Sequence, residues 1–379
     1  MKTVKRFSVI LLVFSMLCLT GCWNYRELDN LSMVSGFAID KGTEGHKYHL
    51  TFEFLDLTKN QTNGKLLETE GDTIFDGIRN AISKSQKKLF FSDCKVIIIS
   101  QDIAREGLAP IFDWITRDAE PRISLNPVIS KEKTAADLLQ QKPITDQLIT
   151  QEIWKTLVQN TITLSENPDV KLYQAINMLG SEGSSLILPA AKVAKTQSET
   201  NFELDGSAVF KKDKLLGFLD RNDSKYVLFI KDQVGGGLLL TNPDSSDYKV
   251  SLEIAGNQTS VTPEFTDTGV TINIEIKMKA YLAEDQTSKE YSTTKDIKKV
   301  EKSAEKTLKD GVSGVIKKVQ DLYGSDIFGF GETIYQNSPE KWNKIKPGWD
   351  TAFHTLKCTV TTHVAIQNTA TANNKIKVE

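Results

Sequence analysis

Ser-x-x-Lys stretches, Ser85 to Lys88 and Ser130 to Lys133 among them, place a hydroxyl and an amine at the spacing some acyl-transfer enzymes use. In that chemistry a base takes the serine proton, and companion motifs complete the site. Those companions are missing from this sequence, and such hits in a chain rich in Ser and Lys fit chance. His46 and His49 stand three apart, so in a strand they point to opposite faces and cannot share a metal. His354 and His363, nine apart, fail in the same way on a continuous strand. Gly235-Gly236-Gly237 offers backbone amides to an anion, but no helix start follows where such a cradle needs one. A flexible loop between strands is expected there. The chain has no P-loop, dinucleotide fingerprint, HExxH or GxSxG pattern. These residues predict no enzyme, no cofactor and no metal.

One thiol has a more specific chemistry. Leu19-Thr20-Gly21-Cys22 follows Lys2, Lys5 and Arg6 and an apolar run from Val9 to Leu17. A basic head, a short apolar stretch and small residues before a cut make a secretory signal peptide over residues 1–21. The run is shorter than the roughly 20 apolar residues that a spanning helix needs. A cysteine directly after a Leu-Thr-Gly cut resembles a bacterial lipobox, in which Cys22 is acylated and begins the mature chain. Each buried methylene contributes about 0.8 kcal/mol and a single acyl chain holds only marginally, so a diacylglyceryl group meets the need. Residues 23–379 are then expected outside the cytoplasm, tethered to a membrane.

Composition is that of globular protein, with 39% hydrophobic and 25% charged residues. Losing Lys2, Lys5 and Arg6 takes the formal charge from −2 to −5, with no acidic residue before Cys22. Lys and Arg alternate with Asp and Glu along the chain. No basic block attracts nucleic acid or an anionic bilayer, and nucleic acid is not an expected partner. Cys18 leaves with the signal peptide. Cys94 and Cys358 lie in apolar strand patterns and read as buried thiols in preference to a disulfide.

The remaining patterns describe a multi-domain chain of mixed α/β and α+β class. Strands are expected at 33–40, 48–54 and 94–100, with an extended stretch over 122–130. Helices are expected from Asp72, from about 102 to 118, after Thr134 with Asp137 in a capping-box-like start, and around 147–164 and 169–179. This makes an N-terminal α/β domain over 22–195. The polar stretch at about 190–202 marks a boundary. Beyond it, an α+β domain over 202–370 carries period-2 strands at 248–254, 270–282 and 356–366, with a possible small sub-domain at 202–255. A long amphipathic helix from Asp296 to Leu322 covers that antiparallel-rich sheet, with Gly311 and Gly314 as a possible kink. Its outer face, rich in Lys and Glu, reads as a solvated surface. Asp326-Ile327-Phe328-Gly329-Phe330-Gly331-Glu332, with Trp342 and Trp349, reads as a structural joint. Pro347 makes it doubtful that the two Trp share a helix face.

Several segments stand in order along the chain: Gly21-Cys22-Trp23 with Arg26-Glu27-Leu28; Val34 to Asp40; Gly206-Ser207-Ala208-Val209-Phe210; Lys214 to Leu219; and Asp326 to Gly331 with Trp342 and Trp349-Asp350. Together they resemble the C subunits of spore nutrient-germinant receptors, the Ger(x)C lipoproteins. Asn24 departs from the Asp that relatives often carry. The resemblance implies a lipid anchor at Cys22 on the outer face of the spore's inner membrane, and no known catalytic residues. It also implies integral-membrane A and B subunits as partners in sensing nutrients and starting germination. A nutrient-binding lipoprotein of a transport system is the alternative. The nutrient, the contact surface and the stoichiometry are not legible in the residues.

Overall fold

The computed structural model describes Phe7 and residues 31–367, except 44, 57–62, 86, 196–199, 245–248, 267–268 and 287–292. Cys22, the rest of the lipobox and Tyr248 lie outside the described residues.

The first strand pair is the expected one: β1 (Leu31–Lys41) and β2 (Tyr48–Asp56) run antiparallel, with Phe37 opposite Phe52 and Ile39 opposite Leu50. β3 (Asn63–Gly71) extends the sheet beyond β2. α1 (Ile74–Ala81) begins where Thr73 Oγ1 accepts the Asp76 N–H, and buries Ile74, Ile78 and Ala81. β4 (Lys88–Phe90) and β5 (Val96–Ile99) both pair parallel with β1. All four β5 residues are buried, as a strand covered on both faces requires.

The single helix expected over 102–118 is two, α2 (Gln101–Glu106) and α3 (Ala109–Arg117). Gly107 sits at φ +135, outside helical space, and Pro110 opens the first turn of the second helix. β6 (Asn126–Ser130) follows, then α4 (Ala136–Leu139), α5 (Ile149–Thr163) and α6 (Leu172–Gly180). Thr134 and Asp137 do form a reciprocal box: each backbone N–H donates to the other's side chain, at 3.1 and 3.2 Å.

β7 (Ile187–Lys195), β8 (Thr200–Lys211) and β9 (Lys214–Leu219) complete a mixed nine-stranded sheet, in the order β3-β2-β1-β5-β6-β7-β8-β9 with β4 beside β1. The polar stretch at 190–202 falls within the β7–β8 hairpin. Residues 202–219 therefore hydrogen-bond into the sheet that begins at Leu31, with Val193 opposite Phe202 and Ala191 opposite Leu204.

A second sheet has the order β10 (Leu238–Thr241), β11 (Val250–Thr266), β12 (Gly269–Asp285) and β13 (Lys357–Ile366). It is antiparallel except for the parallel β12–β13 pair. Between the sheets lies α7 (Arg221–Ile230), in which every residue from Ser224 to Ile230 is buried. One core joins Ile187, Val209 and Leu219 of the large sheet to α7, the second sheet and α8 (Thr294–Leu322). α8 buries Val300, Ala304, Leu308, Val312, Val315 and Val319 on the expected stripe. It runs through Gly311 and Gly314 as one helix. At Gly311 the ring of Tyr226 lies where a Cβ would stand, so this glycine serves close packing of α7 on α8.

Candidate functional site

Past α8 the chain turns at Gly324, at φ +52, and enters the aromatic and glycine segment that the sequence singles out. Asp326 is its centre. Its Oδ1 accepts the N–H groups of Gly329 and Phe330 at 3.0 and 3.1 Å, and its Oδ2 accepts those of Gly331 at 2.8 Å and Trp349 Nε1 at 3.2 Å. Three of those donors are the N-cap amide of Gly329 and the first two amides of α9 (Phe330–Asn337), which have no partners inside the helix. Gly329 takes φ +81 at the cap, a conformation that a residue with a Cβ resists. Burial outweighs these donors and pushes the Asp326 carboxyl up to about 6. Lys231, partly buried, donates to the Ile327 carbonyl at 3.3 Å, and desolvation lowers its pKa against the pull of Asp326 and Glu332.

Aromatic rings close around this carboxylate. Phe328 and Phe330 stack at 5.0 Å between centroids, with Phe353 beside both. The helix does break at Pro347: α10 (Pro339–Ile345) gives way to a 3-10 turn over Lys346–Gly348, then α11 (Trp349–His354). Trp342 and Trp349 nonetheless meet edge-to-face at 5.3 Å, because the short turn keeps the two helices close.

The joint fastens to the large sheet mainly through backbone groups. Ser185 N donates to Asp326 O at 2.7 Å, Glu332 N to Gly183 O at 2.9 Å, and Tyr323 Oη to Phe218 O at 2.8 Å. Ser325 Oγ donates to Phe210 O at 2.5 Å. At the surface Lys211 pairs with Asp350 at 3.1 Å, and Lys346 with Glu182. These ion pairs flank a cleft of about 830 Å³ whose lining includes Met178, Leu186, Asp326, Trp349 and Phe353. A neighbouring hollow of about 560 Å³ shares Ser181, Glu182 and Lys346. The arrangement is a fixed junction between two sheets with a groove over it.

The other buried carboxylates are engaged in the same way. Asp40 accepts the Ala135 and Ala136 amides at 2.6 and 3.0 Å. Glu53 accepts Ile149 N, Thr150 N and Thr150 Oγ1, and Glu152 accepts Ile144 N and Thr145 N. Burial raises the pKa of both Asp40 and Glu53. Each group is anchored to backbone, where a general acid or base would need an open face toward a substrate.

The remaining sequence candidates have local partners. Ser85 Oγ is tied to the backbone of Lys87, and Lys88 pairs with Glu120. Ser130 Oγ donates to Thr134 O and accepts Glu132 N. His46 lies 3.0 Å from Asp72, His49 lies 3.5 Å from Glu70, and His363 lies 3.6 Å from Glu275. Gly235 and Gly236 donate to Ser165 Oγ and press against the end of α5. The triple glycine thus connects α7 to β10 as a packed segment, not as the flexible inter-strand loop expected. Cys94 and Cys358 are free thiols, and burial pushes both up to about 12.

The family model described as spore germination protein N-terminal domain matches residues 24–193, and that described as spore germination B3/GerAC like, C-terminal, matches residues 205–370. This chain belongs to the Ger(x)C family of spore germination proteins. Its Ger(x)C relatives include spore germination protein B3 of Bacillus subtilis (strain 168), 26% identical over 93% of this chain and 94% of that one. Spore germination protein KC of the same organism is 24% identical over 98% of each chain. Spore germination protein GerQC of Bacillus cereus is 24% identical over 96% of this chain and 98% of that one. The crystal structure of the GerBC protein shares the fold, with a TM-score of 0.59 at 22% identity, over 88% of this chain and 97% of that one. The first family match ends, and the second begins, within the β7–β8 hairpin. Among the described residues, no helix of this Ger(x)C protein is long and apolar enough to cross a membrane.

Proposed function

We propose that this protein is the lipid-anchored C subunit of a nutrient germinant receptor. Cys22 carries the anchor, on the extracytoplasmic face of the spore's inner membrane, and integral-membrane A and B subunits are the partners. Family membership across both halves of the chain is the observation that carries this reading. The Leu-Thr-Gly-Cys sequence supports the anchor. The subunit works by shape and contact and not by catalysis. In support, its buried carboxylates hold backbone amides, and Ser85 and Ser130 are tied to their own turns.

The test is purification of the tagged, lipidated protein from detergent-solubilised spore membranes, with mass identification of what accompanies it. A and B subunits are expected, together with release of the Cys22→Ala protein into the soluble fraction by a high-salt wash and loss of the nutrient response. Recovery of a transport permease and ATPase would replace this reading with that of a nutrient-binding transport lipoprotein. Full membrane retention of the Cys22→Ala protein after that wash would remove the anchor from it.

A further inference from the structure

The outer face of α8 is not the mixed surface that its sequence suggests. Lys295, Lys298, Lys302, Lys306 and Lys309 are all exposed. Their spacings of three or four residues put them on one side of the helix, along about 21 Å at 1.5 Å per residue. None of the five forms an ion pair among the described residues. The acidic residues of the same stretch are drawn elsewhere. Glu301 Oε1 accepts the Ile366 amide at 3.0 Å, and Glu305 Oε1 accepts the Val364 amide at 3.2 Å, both at the open edge of β13. Asp296 is held by Thr293 and by Lys299. Glu301 and Glu305 flank the lysines on the β13 side with their carboxylates turned to that strand, and Asp310 borders them at their C-terminal end. Folding therefore separates charges that alternate in the sequence. It leaves a basic stripe on a chain of formal net charge −2.

We propose that this stripe is a docking face for the anionic phospholipid headgroups of the bilayer beside which the protein is tethered. The inference rests on the membrane-proximal reading above. Residues 23–30, between the anchor and β1, span at most about 30 Å, so the body stays close to the headgroups. At that range several weak attractions act together. The stripe has the composition of a headgroup contact. It consists of lysines, which are point charges on flexible stems, and it lacks the Arg forks and aromatic anchors that centre most protein interfaces. A fluid layer of anions needs no such anchors. The rest of the body, with its excess of acid, is repelled by the same surface, so attraction at α8 also sets orientation.

The test uses the chain from residue 22 with Cys22→Ala, which cannot be acylated, so failure of the lipid-anchor reading would not alter the outcome. It is sedimented with vesicles of phosphatidylcholine alone or with 30% phosphatidylglycerol, at low and high salt. Retention is expected only on the anionic vesicles and falls steeply with salt. Each lysine replaced by Gln should lower the partition coefficient about five-fold, so Lys298→Gln with Lys302→Gln, Lys306→Gln and Lys309→Gln should lower it several hundred-fold. The four corresponding Arg substitutions should retain binding. Lys302→Gln alone gives the single-site value if the fourfold variant does not fold. No retention of the parent protein at low salt overturns the proposal, as does equal retention of a Gln variant. Indifference to vesicles with capture of an acidic protein through the same lysines overturns it too.

Discussion

Asp326 is the most demanding test of how this junction is held. An unfolded Asp releases its proton near pH 3.8, and burial delays release from the native carboxyl to about 6. Between those values the native state keeps a proton that the unfolded state has lost, so stability falls as pH rises through the window. The separation corresponds to about 3 kcal/mol, present below pH 4 and lost above pH 6. Asp326→Asn keeps the shape and abolishes the titration. Its amide turns a donor toward the Gly331 and Trp349 N–H groups, which costs about 1–3 kcal/mol at every pH. The variant should therefore trail the parent protein at pH 4 and match or overtake it at pH 7. Urea unfolding followed by tryptophan fluorescence at pH 4, 5, 6 and 7 measures the gap, since Trp342 and Trp349 lie against the site. A gap that stays constant or widens with pH would refute the reasoning. It would mean that the four N–H donors outweigh burial and hold the native carboxyl at or below its ordinary value.

Two further expectations concern the β13 edge and the thiols. Replacing Glu301 and Glu305 together by Ala uncovers the Val364 and Ile366 amides at an open sheet edge. This should cost about 1–2 kcal/mol by thermal or urea unfolding and raise self-association in sedimentation velocity, since unpaired edges recruit other strands. Cys94 and Cys358, both pushed up to about 12, should resist a thiol reagent at pH 8 in the native protein and react at once in denaturant. Rapid native labelling of either would contradict the packing described.

The second sheet was the most legible part of the fold. Ile272, Ile274, Ile276 and Met278 alternate without a break, and Val300 to Val319 keep helical period over five turns, so periodicity and burial coincide. The large sheet was harder to read. Strands β8 and β9 follow a polar stretch that looks like a linker, and only pairing with β7 shows which sheet they join. Gly107 broke a helix whose apolar period continues on either side of it, because the period records the buried face and not the backbone angle. At the junction, aromatic residues flanked by glycines announced a tight structure. The role of Asp326 carried one faint signal, an acidic residue three before the cap glycine of a helix. The segregation of Lys from Glu on α8 was invisible, because it depends on where β13 lies across the chain. Cys22 shows the opposite case: its expected chemistry belongs to a short processing motif, and the fold adds nothing to it.

The parallel pairing of β12 with β13 also imposes an order in time. Ile274 lies beside Val360, and α8 and the whole Asp326 junction come between them in the chain. A ribosome reaches the last strand only after nearly everything it must join has been made. Until then β12 keeps an unpaired edge, and the core lacks Val360 and Val364. A chain that stalls or is clipped before Lys357 is thus left open and prone to stick to its neighbours. Completion of this sheet therefore reports that synthesis has passed Ile366.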